Sequence, residues 1–319
     1  MKAYKHFTSE ERESLLLLLQ EGKSKTAIAA YLGKDRSSIY REIERNWHPK
    51  YGYLPLSATS KYKQRRKKCR PKLRFEVDSA LIAYTGACLD KYWSPEIIAV
   101  TWKRAHPSDK LSHSTIYRAL ERKLLKGYSG FTHLRRRNKQ KYVRKDSAVI
   151  KPDNTIHERP QAARHRARIG DWEGDTVRGA RGKGQVITMA DRKSRYFMAM
   201  LSPDSKAATT EKTVIAMMQT LPVESLTFDN GPEFAKHRDI AKSLNTTIYF
   251  TDPKSPWQRG TNENLNDVFR FFYPKGCDFT IVTQDELDAT LELINTRPRK
   301  CLEWRTPNDV FFDNLLHLD

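Results

Sequence analysis

Three acids in the C-terminal half of the chain sit where carboxylates are costly unless something uses them. Asp175 lies within the strand-like stretch IGDWEGDTV (169–177), Asp229 closes the β-prone run SLTF, and Glu263 stands near the start of a helical segment. Hard divalent cations take several oxygen ligands, and a pair of them about 4 Å apart can activate and clamp a phosphodiester. Carboxylates that converge with no cation between them repel one another. The pattern therefore points to metal-dependent chemistry on a phosphodiester. A plainer reading makes Asp229 a turn aspartate before Asn230-Gly231-Pro232, since Asx-Gly pairs are common at strand ends, and the three acids unrelated. It must then explain why each lies at an element edge inside an otherwise apolar segment.

The elements that would position these acids follow from periodicity. In 169–177 the period-two alternation puts Glu173 and Asp175 on one face. QVITMADR and SRYFMAMLS read as a hairpin, and 207–221 has helical spacing with Val214, Met217 and Met218 as core candidates. SLTFD is a fourth strand, 233–244 a helix, TTIYFTD (246–252) a fifth strand, and a helix starts at about Gly260. The expected order is three strands, helix, strand, helix, strand, helix. The glycines at 179–184 lead into another strand, so they are no dinucleotide fingerprint. Gly22-Lys23-Ser24 lacks the upstream glycine of a phosphate-binding loop.

The N-terminal half has a different character. Residues 1–170 carry 39 Lys and Arg against 16 Asp and Glu, whereas 171–319 carry 19 against 22. A strongly basic region joined to a mildly acidic one suggests a polyanion partner, nucleic acid first. The basic region also repeats itself: SSIYREIER (37–45) echoes STIYRALER (114–122), each preceded by a short helical segment with an Ile-Ala step. In the first copy Thr8 and Glu11 form a capping box, Gly22 and Gly33 break helices, and Ser37 or Asp35 caps a third helix. This is a helix-turn-helix pattern, which would expose Arg36, Ser37, Ser38, Tyr40 and Arg41 to phosphates and base edges. The second copy starts at Ser94-Pro95, has a longer loop, and ends on a helix capped by Ser112 or Ser114 that carries Thr115 and Arg118.

Two basic runs flank that second copy. KYKQRRKKCRPKLR (61–74), with Arg65, Arg66, Lys67 and Lys68, and RRRNKQKYVRK (135–145), with Arg135, Arg136 and Arg137, read as linkers that follow the DNA backbone by counterion release. The layout expected is a first DNA-binding domain (1–50), a basic linker (51–75), a second DNA-binding domain (76–130), a second linker (131–165) and a catalytic domain (166–319). The four scattered cysteines, with no CxxC pair, fit reduced thiols in a cytosolic protein. The five leucines of 15–19 are too short a run for a signal-peptide core or a membrane span, so a soluble, cytoplasmic protein with no membrane partner is expected.

WEGDTV, FDNGPEF and SPWQRGTNENLNDVFRFFYPKGCDF resemble the three catalytic blocks of DDE transposases, and most closely those of the bacterial insertion-sequence family numbered thirty. IHERPQAARHRARIGDWEGD is similar to that family's lead into its first strand, and 33 residues separate Asp229 from Glu263, as is typical there. The resemblance covers most of the chain. It implies an α/β fold of the ribonuclease H type, with a mixed five-stranded sheet and helices, preceded by two all-α helix-turn-helix modules. It also implies catalytic and metal-binding roles for Asp175, Asp229 and Glu263, with two Mg²⁺ ions that Mn²⁺ can replace. Asp171 is the rival at the first position and Asp267 at the third, where the flanking Asn262 and Asn264 favour Glu263. Trp257, Arg259 and Arg270 are expected DNA contacts. The activity implied is cutting at terminal inverted repeats and joining to target DNA, by a homodimer or larger assembly on double-stranded DNA in the cytoplasm. The alternatives are a sequence-specific repressor with an inactive integrase-like domain and a metal-dependent DNA endonuclease that cuts without joining.

Overall fold

The computed structural model describes residues 6–69, 71–134, 152–253 and 255–317. The chain divides into two compact units, Met1–Val77 and Asp78–Asp319. The first holds helices α1 (Ser9–Gln20), α2 (Lys25–Tyr31) and α3 (Arg36–Asn46), a small hairpin of β1 (Trp47–His48) and β2 (Gly52–Tyr53), then α4 (Pro55–Cys69) and the single turn α5 (Arg74–Val77). Thr8 and Glu11 make the expected capping box, with Oγ1 accepting from the Glu11 N–H at 3.1 Å and the glutamate accepting from the Thr8 N–H at 2.9 Å. Of the two candidate caps for α3, Asp35 occupies the N-cap position. Leu15, Ile28, Ile39 and Ile43 form the core. Arg36, Ser37, Tyr40 and Arg41 face solvent and Ser38 is half-buried.

The first basic run departs from the linker expected of it. Most of it is helical, as the second half of α4, although it has no periodic apolar face. Contacts distant in sequence hold the helix in place. Ala58 is fully buried, and the Arg12 guanidinium stands 5.0 Å from the centre of the Tyr62 ring. Arg66, Lys67 and Lys68 are exposed on it and Arg65 is half-buried. The second basic run, with Arg135, Arg136 and Arg137, lies outside the described residues.

The second unit begins with α6 (Ser79–Asp90), α7 (Pro95–Ala105), α8 (His113–Glu121) and the single turn α9 (Gly130–His133). Pro95 opens α7 and Ser112 caps α8, its Oγ accepting from the Thr115 N–H at 3.3 Å. Arg118 is exposed and Thr115 half-buried. The expected border between this helical module and the domain after it is bridged by contacts. Arg104 donates to the carbonyls of Glu303 and Trp304 at 2.6 and 3.1 Å, and Tyr92 packs edge-on against Phe271 and Phe272.

After the short α10 (Gln161–His165) come β3 (Asp171–Arg178), β4 (Gln185–Asp191), β5 (Phe197–Ser202), α11 (Ala207–Met218), β6 (Ser225–Phe228), α12 (His237–Leu244), β7 (Thr247–Phe250) and α13 (Gly260–Phe272), the order read from the sequence. Residues 233 and 234, expected in the helix of α12, instead belong to a separate 3₁₀ turn at 232–234. Two further helices follow, α14 (Gln284–Asn295) and α15 (Pro307–Leu315). The five strands make one mixed sheet in the order β5-β4-β3-β6-β7, antiparallel from β5 to β3 and parallel from β3 to β7. One core layer contains Trp172, Met189, Met218, Leu226, Phe228 and Phe311. The other contains Val186, Phe197, Leu265, Phe269 and Leu287. Among the described residues no helix is long and apolar enough to cross a membrane.

Gly174, between Glu173 and Asp175, shows how tightly β3 is packed. A Cβ there would stand 2.7 Å from Phe228 Cδ1 and 2.8 Å from Met189 Sδ, closer than real Cβ atoms come. Gly174→Ala is expected to cost about 1–3 kcal/mol through overpacking, read as a lower denaturant midpoint at unchanged slope. A midpoint equal to that of the natural protein would show that the core yields there.

Candidate active site

Register brings the two aspartates together. Strands β3 and β6 run parallel with Glu173 opposite Thr227. Two residues further on, Asp175 and Asp229 stand at neighbouring positions, with strands about 4.8 Å apart. Both are half-buried. Asp175 accepts from the Thr176 N–H at 2.8 Å and from Asn266 Nδ2 at 3.1 Å. Asp229 accepts from the Gly231 N–H at 3.2 Å. Burial pushes the Asp229 carboxyl above the ordinary aspartate range. The neighbouring Asp175 and Glu233 charges add to this, and Arg259 opposes it.

Arg259 joins the pair. Its guanidinium lies 3.0 Å from Asp229 Oδ2 and 3.6 Å from Asp175 Oδ1, and Nη1 donates to the Gly174 carbonyl at 2.7 Å. The DNA contact expected there meets a side chain engaged with the acids in the free protein. The turn of 256–259 ahead of α13 points the side chain inward, leaving it 6% exposed. Trp257, in the same turn, is 72% exposed, as a DNA contact would need. Arg270 is half-buried and donates to the Arg178 carbonyl at 2.7 Å.

The other acids of β3 have structural partners. Asp171, the rival at the first position, is fully buried and accepts from Ser225 Oγ at 2.6 Å and Arg168 Nε at 3.1 Å. Glu173 is fully buried, ion-paired with Arg192, and accepts the Asn262 N–H at 3.0 Å. It thus caps the first turn of α13 with a negative charge where free N–H groups point. Asn262 Nδ2 returns a bond to the Glu173 carbonyl at 2.6 Å. Glu233 accepts from Thr176 Oγ1 at 2.8 Å and Arg178 Nη2 at 3.1 Å.

Glu263 is placed differently. From α13, Asn262, Asn266 and Arg270 bond to β3, and Glu263, one residue round the helix from Asn262, is exposed. Among the described residues no three His, Cys, Asp or Glu side chains gather closely enough to hold an ion, so Glu263 is not brought onto the aspartate pair. Asp267 is exposed one turn later. The positioning role of Asn266 is absent from the sequence reading, although Asn262 and Asn266 have the i,i+4 spacing of one helix face.

The oxygens around the pair suit a hard cation. Besides the two carboxylates, the side-chain oxygen of Asn266, whose amide holds Asp175, is buried with no hydrogen-bond partner, and all these donors are of the kind that Mg²⁺ and Mn²⁺ prefer.

Comparison with known proteins places both halves of the chain in known families. Residues 3–46 match the family described as a helix-turn-helix domain, and 165–256 match the integrase core domain, a family of metal-dependent enzymes. The chain is 35% identical to the transposase for insertion sequence element IS1086 of Cupriavidus metallidurans, over 96% of this chain and 94% of that one. It is 36% identical to the transposase for IS4351 of Bacteroides fragilis, over 96% and 95%. It is 34% identical to the transposase InsI for IS30C of Escherichia coli, over 97% and 84%. With a helix-turn-helix unit at its N-terminus, an integrase-type α/β fold and two acids brought together by adjacent strands, this chain belongs to the family of insertion-sequence transposases, the DDE enzymes of the family numbered thirty.

Proposed function

We propose that the protein acts in the bacterial cytoplasm as a homodimer or larger assembly that pairs the two terminal inverted repeats of its element, cuts there and joins the freed ends to target DNA. The pairing of Asp175 and Asp229 across β3 and β6, with α13 beside them, is the observation that carries this reading. Two Mg²⁺ ions, replaceable by Mn²⁺, would be held by Asp175 with Glu263 and by Asp175 with Asp229. When bound, they supply the charge that activates the attacking oxygen and stabilises the leaving one. In the first step water adds to phosphorus and the 3′ oxygen departs as a hydroxyl. In the second, that 3′-OH attacks a target phosphodiester and displaces another 3′ oxygen, so one bond is made for each one broken. Glu263 is exposed at the first turn of α13, where a change of side-chain rotamer alone alters its reach.

Incubating the protein with Mg²⁺ and DNA carrying the element's own ends tests this reading, with joined products expected and none in the presence of chelator. Cut but unjoined ends would identify an endonuclease, and specific binding without cutting a repressor.

DNA recognition is assigned to α3, with the exposed Arg36, Ser37, Tyr40 and Arg41 and the half-buried Ser38, and to α8, with Thr115 and Arg118. The basic helix α4 adds phosphate contacts. Replacing Arg65, Arg66, Lys67 and Lys68 with Ala keeps a good helix former at each position. It should make log affinity against log salt shallower by about one unit for each phosphate no longer neutralised. Specific and random duplexes should weaken by similar factors, with preference for the terminal repeat retained. An unchanged slope in salt titrations would mean that these charges stay in water.

A further inference from the structure

Arg259 is placed as a fixture of the acid pair. Surface arginines of the recognition helices, such as Arg41 and Arg118, are exposed. Arg259 is 6% exposed, anchored by the Gly174 carbonyl at 2.7 Å, and holds one aspartate at 3.0 Å and the other at 3.6 Å. Two carboxylates so close in a partly buried site need a positive neighbour. A divalent cation between the same oxygens would put like charges side by side where screening is weak. Guanidinium and metal ion thus contend for one pair of ligands. We propose that Arg259 is a resident counter-cation, which holds Asp175 and Asp229 in place before metal loading and competes with the divalent cation for them.

This rests on the reading that Asp175 and Asp229 hold the cation, and the experiment separates the two. Bound Mn²⁺ is measured from loss of the free-ion electron paramagnetic resonance signal, on full-length natural protein, Arg259→Gln, Arg259→Lys and Asp175→Asn, without DNA. Arg259→Gln should bind Mn²⁺ about tenfold more tightly than the natural protein, because the competing charge is gone. It should also melt at a lower temperature without cation and be stabilised more by saturating Mn²⁺. Arg259→Lys keeps the charge and should stay within about threefold of the natural affinity. If Arg259→Gln binds no more tightly, if the lysine variant tightens as much as the glutamine one, or if Arg259→Gln fails to fold even in saturating Mn²⁺, competition by charge is wrong. If the natural protein binds no more Mn²⁺ than Asp175→Asn, the cation site itself is misplaced.

Discussion

Asp229→Asn or Asp175→Asn is expected to reduce both cutting and joining by at least about 10²–10³-fold, the loss typical when one group stabilising transition-state charge is removed. Each substitution keeps the shape of the side chain and deletes a charge and a hard oxygen ligand. It also leaves Arg259 facing one carboxylate instead of two, which removes the net negative charge that would attract a cation. DNA affinity should hold, because the recognition residues lie on other elements. Thermal stability should hold for Asp229→Asn in particular, since burial and the nearby Asp175 and Glu233 charges already disfavour its ionised form. Glu263→Gln should lose activity to the same extent if α13 delivers that carboxylate to the site. Activity within tenfold of the natural protein in any of the three, measured as end cleavage in Mg²⁺, would show that acid misassigned.

A second large effect is structural. Arg192→Met should destabilise the α/β unit by about 3–5 kcal/mol, because it strands the fully buried Glu173 charge. For a unit of this size that corresponds to a fall of roughly 6–20 °C in melting temperature. Arg192 also donates to the Ala163 carbonyl at 3.0 Å. The Arg192→Met/Glu173→Gln double variant removes both charges and should recover a large part of the loss, as partners in contact do in a double-mutant cycle. A fall below about 1 kcal/mol in the single variant, or a double variant no better than it, would mean that the pair is not what fixes α13 to β3. Low activity in these variants would then reflect a displaced Asn262 and Asn266, with the acids themselves intact.

The order of elements along the catalytic domain, the capping box of Thr8 and the positions of the two aspartates on their elements could be read from the sequence because each is a local pattern: alternation, a cap three residues from its partner, an acid before a turn. Period two put Glu173 and Asp175 on the same face but could not say which faces a cation and which a buried arginine. That distinction depends on Arg192, 19 residues away from Glu173 along the chain. Arg259 was legible as a basic residue beside a catalytic block. Its inward direction comes from the 3₁₀ turn of 256–259, which the sequence does not announce. The helix α4 was not legible for a related reason: its apolar face is thin, and its anchors, Ala58 and the Tyr62 ring under Arg12, acquire meaning only once α1 is packed. The closing helix α15 does carry a local signal, Thr306 and Asp309 in a capping box with Pro307 at the first helical position, but its packing is silent in the sequence. Phe311 stacks on Tyr196 at 4.5 Å and lies edge-on to Trp172, a contact that only the folded sheet creates.

The most direct test of the central claim is anomalous scattering from Mn²⁺ in crystals of the protein bound to its terminal-repeat DNA. A strong peak is predicted between the carboxylates of Asp175 and Asp229, with the Arg259 guanidinium moved off them and the Glu263 carboxylate turned in from α13. A peak held by Glu173 or Glu233, or metal at the aspartates with Glu263 still facing solvent and Arg259 unmoved, would contradict that assignment.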